Sequence, residues 1–183
     1  KEGNAYLLTT TVDQGWLTSP DRAYPVVVDP WFTFIRGASG DVFLGSLYPD
    51  YNWNGWDLYV GNDQPGGGYK MRTLVKFDLF SIPTESRIVA AQFWMKMRSY
   101  NYADYLKAQA FRVTTDWQPS TATWNSPWTA PGGDFDASPA LPGPPAAFYN
   151  TTPGSGPSDR KTWWITDIAR EWFADQAQNY GLL

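Results

Sequence analysis

Cysteine and histidine are both absent from the 183 residues. Without thiols there is no disulfide framework, no thiolate metal site and no cysteine nucleophile. Without imidazole there is no serine-histidine pair, histidine zinc site or histidine pH switch. Glutamate is nearly missing as well, with only Glu2, Glu85 and Glu171 beside 15 Asp. No pair of carboxylates set for glycoside cleavage can be named among them, and the reading is that the chain is not an enzyme. Lys and Arg number 14 against 18 acids, a net charge of -4, and they form no cluster of the kind that duplex binding needs. Nucleic acid is therefore not expected as a partner. No apolar run approaches the roughly 20 residues of a membrane span, so no membrane insertion is expected. Lys1-Glu2-Gly3 opens neither a signal peptide nor a translation start, and the chain reads as a processed or excised piece of something longer.

What the sequence does have is aromatic rings, 11 Trp, 11 Tyr and 10 Phe, enough to build a sizeable core. The 16 glycines and 15 prolines separate short aromatic and β-branched runs, which is the pattern of an all-β sandwich or barrel. The runs expected as strands are 6–12, 25–29, 32–36, 42–47, 57–61, 73–79, 87–98, 106–114 and 161–166. In the long one Ala91, Phe93, Met95 and Met97 point one way and Gln92, Trp94, Lys96 and Arg98 the other, as in a half-buried antiparallel strand. One helix is expected, capped by Thr166 or Asp167, with Ile168 and Trp172 on one face and Asn179-Tyr180-Gly181 as its stop. Leu182 and Leu183 then read as the start of a further strand, with an open sheet edge beside it. From Pro127 to Pro157 eight of the 15 prolines crowd into one long Pro/Gly-rich loop. There is no fixed-period repeat.

Three blocks stand in one order: Lys76-Phe77-Asp78-Leu79 with Ile82-Pro83 and residues 88–91; Asp116-Trp117-Gln118-Pro119-Ser120-Thr121-Ala122-Thr123-Trp124-Asn125; and Trp164-Ile165-Thr166-Asp167-Ile168 with Glu171-Trp172 and Asn179-Tyr180-Gly181-Leu182. Together they resemble the DNRLRE domain, the disaggregatase-related β-sandwich of secreted and cell-surface bacterial and archaeal proteins. The resemblance covers roughly residues 29–183. It implies an antiparallel two-sheet β-sandwich, jelly-roll-like, in an extracellular multidomain protein, with residues 1–28 as an N-terminal strand and lead-in. Trp16-Leu17 and Arg22-Ala23-Tyr24-Pro25-Val26-Val27-Val28-Asp29-Pro30 resemble the lead-in of Rhs-type, YD-repeat surface proteins. Pro119 departs from the family, which often has Glu there, and the closing strands after the last block are missing from this chain.

Asp50, Asn52, Asn54 and Asp57 place oxygens at alternate positions around Gly55, the opening of a calcium loop. The twelfth position is Gly61 where a bidentate Glu belongs, so Asp57 or Asp63 would have to substitute; the alternative is a polar turn whose side chains cap their own backbone. Tyr51, Trp53 and Trp56 share that loop, and Trp128 and Trp94 add two further rings. Exposed indoles beside amides and carboxylates suit the C–H faces and hydroxyls of a sugar; folded back, Trp53 and Trp56 would close one end of the sandwich. Trp117, Trp124, Trp164 and Trp172 are expected in the core or locking loops, and Asp78 and Asp167 at turns or helix starts.

These residues lead to an expectation of a non-catalytic extracellular module that binds polysaccharide or cell-surface glycan, or serves in adhesion. The alternative is a structural spacer or fibre subunit that assembles with copies of itself, or with other domains of a larger chain, by strand addition at the open edge. A third reading, resting on the YD-repeat-like lead-in, makes the chain part of a toxin-delivery protein.

Overall fold

The sequence Lys70-Met71-Arg72-Thr73-Leu74-Val75-Lys76 forms the strand around which the rest is arranged. In this computed structural model residues 11–21, 35, 37–62, 68–97, 108–137 and 160–183 are described, apart from the side chains of residues 160 and 161. The chain divides into two compact units, Lys1–Phe34 and Ile35–Leu183. In the first, helix α1 (Gln14–Leu17) starts at Asp13, whose carboxylate accepts a bond from the Trp16 amide at 2.7 Å. The expected strands at 25–29 and, but for Ile35, at 32–36 lie outside the described residues, as does 6–10 of the first run; Thr11 and Val12 are in no strand.

In the second unit β1 (Gly40–Gly45) pairs antiparallel with β3 (Lys70–Lys76), with Val42 opposite Leu74 and Phe43 opposite Thr73. The two residues of β2 (Gly61–Asn62) occupy the other edge of β3 beside Met71 and Lys70. Further along that edge Val75 and Leu182 exchange backbone bonds of 2.9 and 2.8 Å. Leu183 exchanges bonds with Phe111 on its far side, and Val113 bridges onward to Phe135. Leu182 and Leu183 are thus paired on both sides, which corrects the open edge expected beside them.

A second antiparallel ladder joins β4 (Gln92–Lys96) to β5 (Arg160–Trp164), with Phe93 opposite Trp163 and Trp94 opposite Thr162. The expected strand 87–98 is shorter because the carbonyls of Ile88 and Val89 are bonded by the Arg170 guanidinium. Helix α2 (Thr166–Ala174) follows β5 and buries Ile168, Ala169 and Trp172. Its cap is Ile165, without a side-chain bond; Thr166 instead accepts from the Ala91 amide, and Asp167 pairs with Arg170 at 3.0 Å. The regular elements among the described residues are therefore mostly strands in antiparallel sheets, with few helices.

Strand β3 is buried on both faces. Leu74 joins Val42, Leu44, Val113, Trp117, Trp124 and Trp128, while Val75 joins Phe93, Trp163, Ile165, Ile168, Trp172 and Leu182. On the Leu74 face the strand's cations cover indoles. Arg72 lies 5.3 Å from the Trp124 ring and 5.2 Å from that of Phe135, and donates to the Gly132 carbonyl at 2.6 Å. Lys76 lies 4.8 Å from the Trp117 ring and bonds Asp116 and the Trp117 carbonyl, each at 2.7 Å.

The first residues of the Pro/Gly-rich stretch are pinned, and 138–157 lie outside the described residues. Asp134 accepts bonds from the Thr129 amide and hydroxyl, the Ala130 amide and the Thr115 hydroxyl. Burial works against its charge, but these bonds outweigh burial and hold the carboxyl below the usual range. The Lys76 bond does the same for Asp116, against the pull of burial.

Gly181 has φ +85, and a Cβ there would run into the Val75 carbonyl. Gly181→Ala should lower stability by more than the about 1–2 kcal/mol of the left-handed backbone alone, read as a shift of the urea midpoint. The depressed Asp134 carboxyl contributes stability that is complete above the ordinary Asp value of about 3.9 and drains as the pH falls toward its lower folded value. Urea midpoints taken from pH 7 down to acid should therefore decline less steeply in Asp134→Asn than in the parent chain.

Candidate functional site

Among the described residues of the second unit two groups of aromatic rings reach the surface, apart from the single ring of Phe80, and each is built by a local rule. The first sits on the loop after β1. A Cβ on Gly45 would lie 3.1 Å from the Trp53 Nε1, so the glycine is what lets that indole settle over β1. Trp53 stacks on Phe43 at 4.9 Å, and Tyr51 and Trp56 meet it edge-on at 4.5 and 5.5 Å. Tyr59 meets Phe43 edge-on, 5.1 Å away. Trp53 is half-buried while Tyr48, Tyr51, Trp56 and Tyr59 are exposed.

The loop is fastened by Asp50 and Asn52, two of the four residues expected to hold calcium. Asn52 donates to the carbonyls of Pro119 and Ala122 at 2.8 and 2.7 Å and accepts from the Asn54 amide. Asp50 accepts from Asn125 at 2.8 Å. Asn52 thus commits its amide to two backbone carbonyls, and its side-chain oxygen accepts the Asn54 amide to form a turn. Among the described residues no three Asp or Glu gather into a metal-holding group.

The second group lies on the outward face of the β4–β5 ladder. Strand alternation sends Phe93 and Trp163 inward, stacked at 5.1 Å, with the Trp163 indole donating to the Ala108 carbonyl. The same alternation turns Trp94 and Trp164 outward, where they are 47% and 53% exposed. Trp164 was expected among the buried residues; the signal that corrects it is its place directly after Trp163, since neighbours on a strand cannot face the same way. Gln92 is exposed on this face, Thr162 is opposite Trp94, and the ladder ends on exposed Lys96 opposite Arg160.

Of the expected ligand-binding rings, Tyr51, Trp53 and Trp56 come together and Trp94 stands in the other group. Trp128 joins neither. It is 7% exposed, packed in the Leu74 cluster with its Nε1 bonded to the Thr123 carbonyl, so its face is closed to a ligand. Trp117, Trp124 and Trp172 are core, and Asp78 holds the Phe80 amide of a turn.

No family model and no solved structure matches the chain. The tRNA3(Ser)-specific nuclease WapA of Bacillus spizizenii is 39% identical over 77 residues, 40% of this chain and 3% of that protein. The tRNA nuclease WapA of Bacillus subtilis strain 168 is 39% identical over 61 residues, 31% of this chain and 2% of its own length. This chain therefore spans a few per cent of the relatives it matches.

These relatives overturn the expectation of a non-catalytic module for glycan binding, adhesion or fibre assembly. They overturn equally the exclusions of enzyme activity and of a nucleic-acid partner. Those exclusions rested on missing histidine and on low basic charge, which describe the residues of this chain and not an activity carried by a protein many times longer.

Asn52→Ala should leave two carbonyls short of a donor and cost about 2 kcal/mol in urea unfolding. Trp56→Ala, at an exposed ring, should cost less than about 1.5 kcal/mol.

Proposed function

We propose that this chain works as a module of a nuclease directed at tRNA. The observation that carries this reading is the 39% identity with nucleases named for tRNA. The reading takes the two ladders as the layers of one jelly-roll-like β-sandwich, supported by Val75, Phe93 and Trp163 sharing a single apolar cluster. The resemblance of its three sequence blocks to the DNRLRE domain, and the extracellular setting that goes with it, belong to the same reading. Cleavage is assigned to the protein as a whole, and what this chain adds is surface. Its exposed indoles suit RNA, because a flat ring stacks on any unpaired base without needing a dense basic patch.

The test is cleavage by the full-length protein that contains this chain, with end-labelled tRNA and duplex DNA as parallel substrates. Discrete tRNA fragments and intact DNA are expected. Uncut tRNA after prolonged incubation would overturn the reading.

A further inference from the structure

Of the eight asparagines in the chain, seven are followed by a residue with a side chain and one by glycine, Asn54-Gly55. That pair has a chemistry of its own. The main-chain nitrogen after an asparagine can attack the side-chain carbonyl carbon and close a five-membered ring; a Cβ on the attacking residue stands in the way, and glycine has none. In a folded chain the reaction also needs both groups to be free of other commitments. Here they are: the Asn54 side-chain amide and the Gly55 N–H enter no hydrogen bond among the described residues. Both residues are exposed, at the centre of the turn that the Trp56 amide closes on the Trp53 carbonyl. Gly55 has φ +83, and a Cβ placed on it would have nothing within 4 Å. The two bonds of this turn, 3.2 Å from the Asn54 amide to the Asn52 side chain and 3.3 Å from Trp56 to Trp53, are at the long end for N–H donors, so the peptide plane between Asn54 and Gly55 is lightly held.

The other described asparagines differ. Asn52 gives its amide to the carbonyls of Pro119 and Ala122, Asn125 to Asp50, and Asn179 to the Phe77 carbonyl. Each of the three is followed by a larger residue, Trp53, Ser126 and Tyr180. Asn62 precedes Asp63 and has its main chain in the ladder beside Lys70.

We propose that Asn54 is a site of spontaneous deamidation that ages the exposed aromatic loop. The Gly55 nitrogen attacks the Asn54 Cγ. A bond forms between them as the Cγ–Nδ2 bond breaks, and the side-chain nitrogen leaves as ammonia, taking the proton from Gly55. Water then opens the ring. Addition at Cγ restores the original main chain with an aspartate at position 54, whereas addition at the main-chain carbonyl breaks the original peptide bond and carries the chain on through Cγ as isoaspartate. Nothing is oxidised or reduced, and water is the one co-reactant. Either product makes the net charge of -4 one unit more negative. The isoaspartate also lengthens the main chain inside the turn that sets Trp56 edge-on to Trp53 at 5.5 Å. The surface that carries Tyr51, Trp53 and Trp56 thus alters its charge and its ring spacing with the age of the molecule, whatever the function of the whole protein.

The experiment is prolonged incubation of the 183-residue chain in warm, mildly alkaline buffer, with circular dichroism to show that it stays folded, followed by peptide mass spectrometry and isoelectric focusing. The peptide that holds Asn54 should gain the mass difference between an amide and a carboxyl ahead of every other asparagine peptide. It should appear as two products of equal mass, one of which is labelled by an isoaspartate methyltransferase. The intact chain should move to a more acidic band in step. Gly55→Ala should slow the gain, but it also strains the turn. Asn54→Gln is therefore the deciding variant: it keeps an amide at the same exposed place, would need a six-membered ring, and should lose the gain at this position.

Absence of the gain in the folded chain overturns the proposal, whether or not the same chain converts in guanidinium. So does an acidic shift that persists undiminished in Asn54→Gln, or conversion of Asn125 or Asn179 ahead of Asn54.

Discussion

Leu74 and Val75 are adjacent on β3 and face opposite ways, so one strand supplies both apolar clusters at once. A strand buried on both faces must satisfy its backbone within the protein, because no water reaches it. Beside Val75 that satisfaction comes from Leu182, whose two bonds to Val75 run through a residue that is itself 1% exposed. The turn at Gly181 is what brings Leu182 there, and the Asn179 amide, bonded to the Phe77 carbonyl, aims the approach. The same segment carries the next bonds outward: Leu183 exchanges two with Phe111, and the Gly181 carbonyl accepts from the Val113 amide.

Alternation made parts of this arrangement legible from sequence. The opposite orientations of Phe93 and Trp94 follow from period two, and the helix after β5 follows from the spacing of Ile168 and Trp172. What could not be read was how each strand ends. The run from Arg87 looked like continuous strand because nothing local announces that Arg170, 82 residues from Ile88, will take that carbonyl. Asn52 presented the same difficulty: nothing local announces that its amide will bond the carbonyls of Pro119 and Ala122, 67 and 70 residues away. Trp128 lay in a run of Pro and Gly that suggested exposure, yet the segment folds back onto Thr123 and buries the ring.

Composition was the weaker guide to function for a related reason. A deficit of basic residues counts charges without saying which ones are committed. In this fold Arg72 and Lys76 are structural, each lying over a core indole, so a count of basic residues overstates the basic surface they provide. Likewise 11 Trp in a single count conceal a division between indoles that fill clusters and indoles that are left outside them. The division is set by strand parity at Trp163 and Trp164, and by the glycine at position 45 for Trp53.

The net charge of -4 is compatible with contact to a polyanion because the range of charge–charge interaction is short in physiological salt. With a Debye length of about 8 Å, acids farther away than the width of two strands contribute little to the potential felt by a phosphate at a given point of the surface. Stacking is less sensitive still, being a contact between ring faces whose strength comes from dispersion and from water released. What a polyanion meets at any one place on the surface is therefore set by the charges within a few ångströms and not by the total over the whole chain.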